Sequence, residues 1–156
     1  MHLIIPLFTP LILSIAFLSY NFSTLECTNW HCDSIKTSFM SESFKPYQSI
    51  AEHLTISFNS DDHFTIREMS DVTTKKGDIE NIKLTYTGAY DKSFSNLILN
   101  IKEVIFNKAH SDKIINSDYA SYNNMKISYK IRVKDNTLFF LNKNKSEIHN
   151  FVCFKV

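Results

Sequence analysis

Residues 125–133 read Met-Lys-Ile-Ser-Tyr-Lys-Ile-Arg-Val. Met125, Ile127, Tyr129, Ile131 and Val133 share one parity; Lys126, Ser128, Lys130 and Arg132 share the other. Successive side chains of an extended chain point to opposite faces, so this segment has one dry face and one wet face. The same alternation returns at Ile82, Leu84, Tyr86, Gly88 and Tyr90, interleaved with Lys83, Thr85, Thr87 and Ala89. A chain made of such segments folds as an antiparallel sheet with one buried side.

Further strands follow from the same logic. Asn29 to Asp33 opens the first, with Trp30 and Cys32 on one face. Leu54 to Phe58 and His63 to Arg67 flank Asn-Ser-Asp-Asp, a turn by composition, so 54–67 reads as a hairpin. Leu97 to Ile101 continues toward Phe106, and Thr137 to Leu141 and Ile148 to Val156 complete the set. Pro46 suits the first turn of a short helix through Ala51 and Glu52, before the second strand. Residues 107–124 carry no period and read as a long loop. The fold class is all-β: one antiparallel meander or barrel of about seven or eight strands.

At 156 residues there is room for one domain. Seventeen Lys and Arg against 16 Asp and Glu leave a formal charge of +1, without the basic excess of a nucleic-acid binder. The two glycines, Gly77 and Gly88, exclude a Gly-rich phosphate cradle. Turns must then rest on Asn, Asp and Ser, of which Asn and Asp tolerate the left-handed region.

Leu3 to Leu18 is almost wholly apolar, broken by Pro6, Thr9, Pro10 and Ser14. Residues 1–23 therefore read as a secretory signal peptide, with a retained membrane anchor as the alternative, and 24–156 as the β domain. The protein is expected to be exported to the periplasm, cell envelope or exterior. Any membrane contact is expected through this segment alone.

Export permits a disulfide. Cys27, Cys32 and Cys153 are an odd set. In a closed barrel the first and last strands are neighbours, so Cys153 is expected to pair with Cys32 or Cys27, Cys32 being slightly favoured. A local Cys27–Cys32 bridge is the alternative. Cys27, His31, Cys32 and Asp33 fit no standard zinc spacing, and no metal or cofactor is expected.

No nucleophile elbow or papain-like motif is present, and no catalytic residue is assigned. Asp61, Asp62 and His63 sit in the hairpin turn. His31, His53, His110 and His149 are scattered and are expected at the surface. Glu68 and Glu80 suggest a glycosidase-like carboxylate pair, but surface charges explain them more simply.

Three segments carry a family pattern. The first is Leu54-Thr-Ile-Ser-Phe-Asn-Ser-Asp-Asp-His-Phe-Thr-Ile66. The second is Thr87-Gly-Ala-Tyr90 followed by Leu97-Ile-Leu99. The third is Tyr129-Lys-Ile131 followed by Asp135-Asn-Thr-Leu138 and a Phe-rich last strand. Over about residues 54–156 this resembles the small secreted bacterial lipocalin-like, calycin-type barrels. Trp30 resembles their strand-one tryptophan, although Thr28 and Asn29 stand where Gly-x is expected. The resemblance implies a meandering barrel, packed solid or holding one small apolar ligand.

Two functions follow as expectations. One is a non-enzymatic binding domain with a ligand cavity lined by Tyr86, Tyr90, Tyr129, Phe140 and Trp30. The other is a protein-interaction module, of inhibitor or immunity type, with a solid barrel and contacts through Tyr119 and Tyr122. The partner is accordingly a small apolar ligand or a protein, and not nucleic acid.

Overall fold

A computed structural model of the chain describes residues 25–37, 43–142 and 151–156. Eight strands close a barrel in sequence order. They are β1 (Thr28–Lys36), β2 (Tyr47–Phe58), β3 (His63–Thr74), β4 (Ile79–Ser93), β5 (Asn96–Lys108), β6 (Lys126–Lys134), β7 (Thr137–Asn142) and β8 (Phe151–Lys155). One short helix, α1 (Lys113–Ala120), lies between β5 and β6. Every neighbouring pair is antiparallel, including β8 with β1. The apolar segment up to residue 23, with its signal or anchor reading, lies outside the described residues. So do the start of the last strand at Ile148 and the histidine at 149. Among the described residues no helix is long and apolar enough to cross a membrane.

The alternation sets the register. Ile127, Tyr129 and Ile131 are buried, while Lys126, Lys130 and Arg132 are exposed. On β4 the whole set Ile82, Leu84, Tyr86, Gly88 and Tyr90 faces inward. A shift of one residue would turn these side chains into solvent, which is why a half-buried strand holds its pairing. The 54–67 hairpin forms as its composition implies, with Phe58 opposite Phe64. Its turn places Asp62 at a φ of 57°.

Two local expectations need correction. The residues from Tyr47 to Glu52, expected to form a helix behind Pro46, are the first half of β2. Ile50 pairs with Val72 and Glu52 with Ser70, and those ladder bonds outweigh the local helix signal. Pro46 sits in the turn just before the strand, where its missing N–H removes no ladder bond. The helix forms instead inside 107–124, which read as loop. Asp112 caps it by accepting a hydrogen bond from the Ile114 N–H, and Ile115 and Tyr119, one turn apart, supply its buried stripe.

Among the described residues the seam between β1 and β8 is short. Trp30 pairs with Lys155, His31 with Phe154 and Cys32 with Cys153. Cys32 and Cys153 form a disulfide with Cα atoms 4.2 Å apart, and Cys27 is a free, exposed thiol. The last strand therefore turns Phe151 and Cys153 inward, leaving Val152 and Phe154 exposed.

Gly88 marks a close approach of two strands. The β4–β5 register slips between Thr87 and Gly88. A Cβ added there would lie 2.0 Å from the Asn100 carbonyl oxygen, so only glycine fits.

Candidate functional site

The barrel interior divides into two halves. At the end carrying the β2–β3 turn, Leu25, Trp30, Phe58, Phe64, Tyr90 and Leu138 are all buried. Phe58 and Tyr90 meet in a T-shaped contact at 4.9 Å. Trp30 donates its indole N–H to the Thr28 hydroxyl at 2.8 Å, and that hydroxyl donates to the Leu25 carbonyl. Each large apolar side chain buried here contributes about 1.5–3 kcal/mol. This half is solid.

The other half is hollow. A cavity of about 120 Å³ lies among Leu54, Tyr86, Leu99, Ile127, Tyr129 and Phe151. Tyr119 and Tyr122 line it from α1 and the turn that follows. Phe44 meets Tyr119 at 5.9 Å and Tyr86 meets Tyr122 at 6.3 Å, both T-shaped, so the aromatic cover is tied to the wall.

Of the residues expected to line a cavity, Tyr86 and Tyr129 do so. Trp30, Tyr90 and Phe140 are buried but do not line this cavity. Phe140 stacks on Phe151 at 4.2 Å and supports the cavity wall from behind. Tyr119 and Tyr122, expected as outward loop contacts, turn toward the interior. Tyr119 is only 5% exposed and Tyr122 is half-buried.

Two acidic residues sit on the inner wall, where sequence reading places neither. Glu68 is buried rather than a surface charge, and Glu52 is buried beside it. Ser34 donates to Glu52 Oε2 at 2.8 Å, and Lys36 Nζ contacts Glu52 Oε1 at 2.5 Å. Ser70 donates to Glu68 Oε1 at 2.5 Å, and Tyr86 donates its hydroxyl to Glu68 Oε2 at 2.8 Å. Burial and then the nearby Glu52 charge push the Glu68 carboxyl up to about 6, against the pull of the two hydroxyl donors. The same burial, followed by the charge of Glu68, holds the Tyr86 phenol well above its usual range. Parity carried the signal: Glu52 sits in phase with Ile50, Leu54 and Ile56, and Glu68 with Phe64, Ile66 and Val72.

Glu80 does not pair with Glu68. Half-buried at the start of β4 and in phase with Ile82, it anchors the α1 loop: Ser111 donates its N–H to Oε1 and its hydroxyl to Oε2, both at 2.6 Å. Its carboxyl is held below the usual range, first by the Ser111 hydroxyl. His110, expected at the surface, is buried in this knot. Its Nδ1 accepts from the Asp112 N–H at 2.9 Å, which leaves Nε2 as the donor toward Glu80 Oε2 at 3.3 Å. Tyr47 donates to Asp112 Oδ2 at 3.0 Å, and burial, followed by that hydrogen bond, pushes its phenol up to about 12. Further along, the Val104 N–H donates to Asn123 Oδ1 at 2.8 Å. The cover over the cavity is thus fastened at both ends.

Outside the barrel, His31 and His53 flank Asp33 at 3.2 and 2.6 Å. Hydrogen bonding, chiefly from His53, holds the Asp33 carboxyl below its usual range. Among the described residues no group of three or more His, Cys, Asp or Glu is arranged to hold a metal ion. No protein-family model matches the chain, and a search of curated proteins finds no match.

Proposed function

We propose that this chain is an exported, non-enzymatic binding protein that holds one small, largely apolar ligand in the hollow half of its barrel. The cavity carries the reading: about 120 Å³ of open space behind an aromatic cover, in a barrel whose other half is filled. An apolar cavity of roughly 150 Å³ admits benzene, whereas drug-sized sites run to about 300 Å³ and more. The occupant is therefore a single ring or shorter chain, or the head of a longer molecule. The inward turn of Tyr119 speaks for this reading over a loop-driven interaction module. The disulfide supports export, since such bonds persist in oxidising compartments.

The test is a methyl-NMR titration of the protein with benzyl alcohol, a neutral single-ring probe. Saturable shifts confined to the cavity-lining methyls, among them Leu54, Leu99, Ile101 and Ile127, are expected, and Ile127→Trp, which fills the space, should abolish them. Absence of saturable shifts in the wild-type protein, or shifts that survive Ile127→Trp, would refute the proposal.

A further inference from the structure

We infer that the ligand is a small organic cation, a protonated amine bearing one ring or a short apolar group, whose ammonium seats against Glu68. This rests on the binding reading above and adds the chemistry of the occupant. Among the described residues three carboxylates line the cavity, Glu52, Glu68 and Asp118, against one lysine, Lys36. That balance repels carboxylates and phosphates. The lysine is committed to Glu52, with which it forms an ion pair.

Glu68 is different. It is buried, it lines the cavity, and its donors are the neutral hydroxyls of Ser70 and Tyr86. Each carboxylate oxygen has two acceptor positions, so one hydroxyl apiece leaves capacity on both. A buried carboxylate without a cation destabilises a fold, and an apolar residue of similar size would suit a purely apolar ligand better. An ammonium group supplies the missing charge and up to three donors. The aromatic surround fits the same guest. Tyr86, Tyr119, Tyr122, Tyr129 and Phe151 line the space, and ring faces attract organic cations most strongly where water is excluded.

The experiment compares three probes of one shape on the full chain: benzylamine, benzyl alcohol and benzoate, by calorimetry near neutral pH. Benzylamine should bind roughly tenfold or more tightly than benzyl alcohol, and benzoate should not bind. Glu68→Gln should bring the amine-to-alcohol ratio toward one. Lys36→Gln, which frees Glu52, should raise amine affinity and provides a reading even where the Glu68 variant fails to fold. Benzyl alcohol binding as tightly as benzylamine, or weaker amine binding in Lys36→Gln, would overturn the cation assignment and leave the cavity reading standing. Failure of both the alcohol and the amine to bind would overturn the two together.

Discussion

Glu52 and Glu68 are diagonal neighbours on the inner wall: Glu52 pairs with Ser70, and Leu54 pairs with Glu68, on adjacent strands. Two carboxylates in one dry space favour a proton on one of them, and burial adds to the effect. The Glu68 carboxyl is raised from 4.5 to about 6, so between those values the folded chain keeps a proton that the unfolded chain has lost. Its contribution to stability is full below pH 4.5 and lost as pH rises through about 6. At roughly 1.4 kcal/mol per pKa unit the loss is about 2 kcal/mol. Urea unfolding of wild type and Glu68→Gln should show the gap between them shift by this amount over the interval. Parallel profiles would rule the coupling out.

Gly88→Ala should destabilise the barrel by about 1–3 kcal/mol through overpacking. The added methyl would meet the Asn100 backbone and, at 3.0 Å, the Phe64 ring, neither of which has room to retreat. Denaturation midpoints check this, with exposed Ala89→Ser as a control expected to change little.

Much of this was readable from parity. The alternation on β4 and β6 placed the inward residues correctly, and chain order implied the seam at which Cys32 meets Cys153. Asp62, Asn124 and Asp135 do the left-handed turn work that a glycine-poor chain assigns to Asn and Asp, with Cys27 and Phe94 doing it unannounced. Glu52 and Glu68 were equally in phase, yet Glu68 read as a surface charge and Glu52 as part of a short helix, because charged residues are so rarely buried that solvent is the default assumption. The helix at 113–120 is a short amphipathic turn in polar sequence, with Ile115 and Tyr119 as its whole buried stripe. Hollowness was not legible at all. It depends on how side chains from several strands and α1 fill one layer, which no single segment encodes.

The knot at Glu80 should control how firmly α1 covers the cavity. Its carboxyl is depressed, so its contribution is present above the ordinary carboxylate range and fades as pH falls through its lowered value. Glu80→Gln weakens charge-assisted bonds to Ser111, and amide exchange at Ser111 and Ile114 should speed by about tenfold for a loss near 1.4 kcal/mol. Unchanged exchange at both amides would show that Tyr47 and Asn116 hold the loop without Glu80.

Removing the disulfide should lower stability by about 4–5 kcal/mol in the chain-entropy account, because the bridge spans 121 positions. Denaturation of a Cys32→Ser, Cys153→Ser double variant measures this. Alkylation without reductant should label Cys27 alone; labelling of Cys153 would contradict the pairing.

Among the described residues the seam that this bridge crosses has three residue pairs, against nine between β1 and β2. While it holds, Trp30 to Cys32 and Cys153 to Lys155 cover each other's edges. Were it to part, β1 and β8 would each present a row of unpaired backbone N–H and C=O groups, beside a Val152 and a Phe154 already exposed to solvent. Such edges template pairing with other chains. The cystine at this joint therefore also keeps this protein from adding strands to its neighbours.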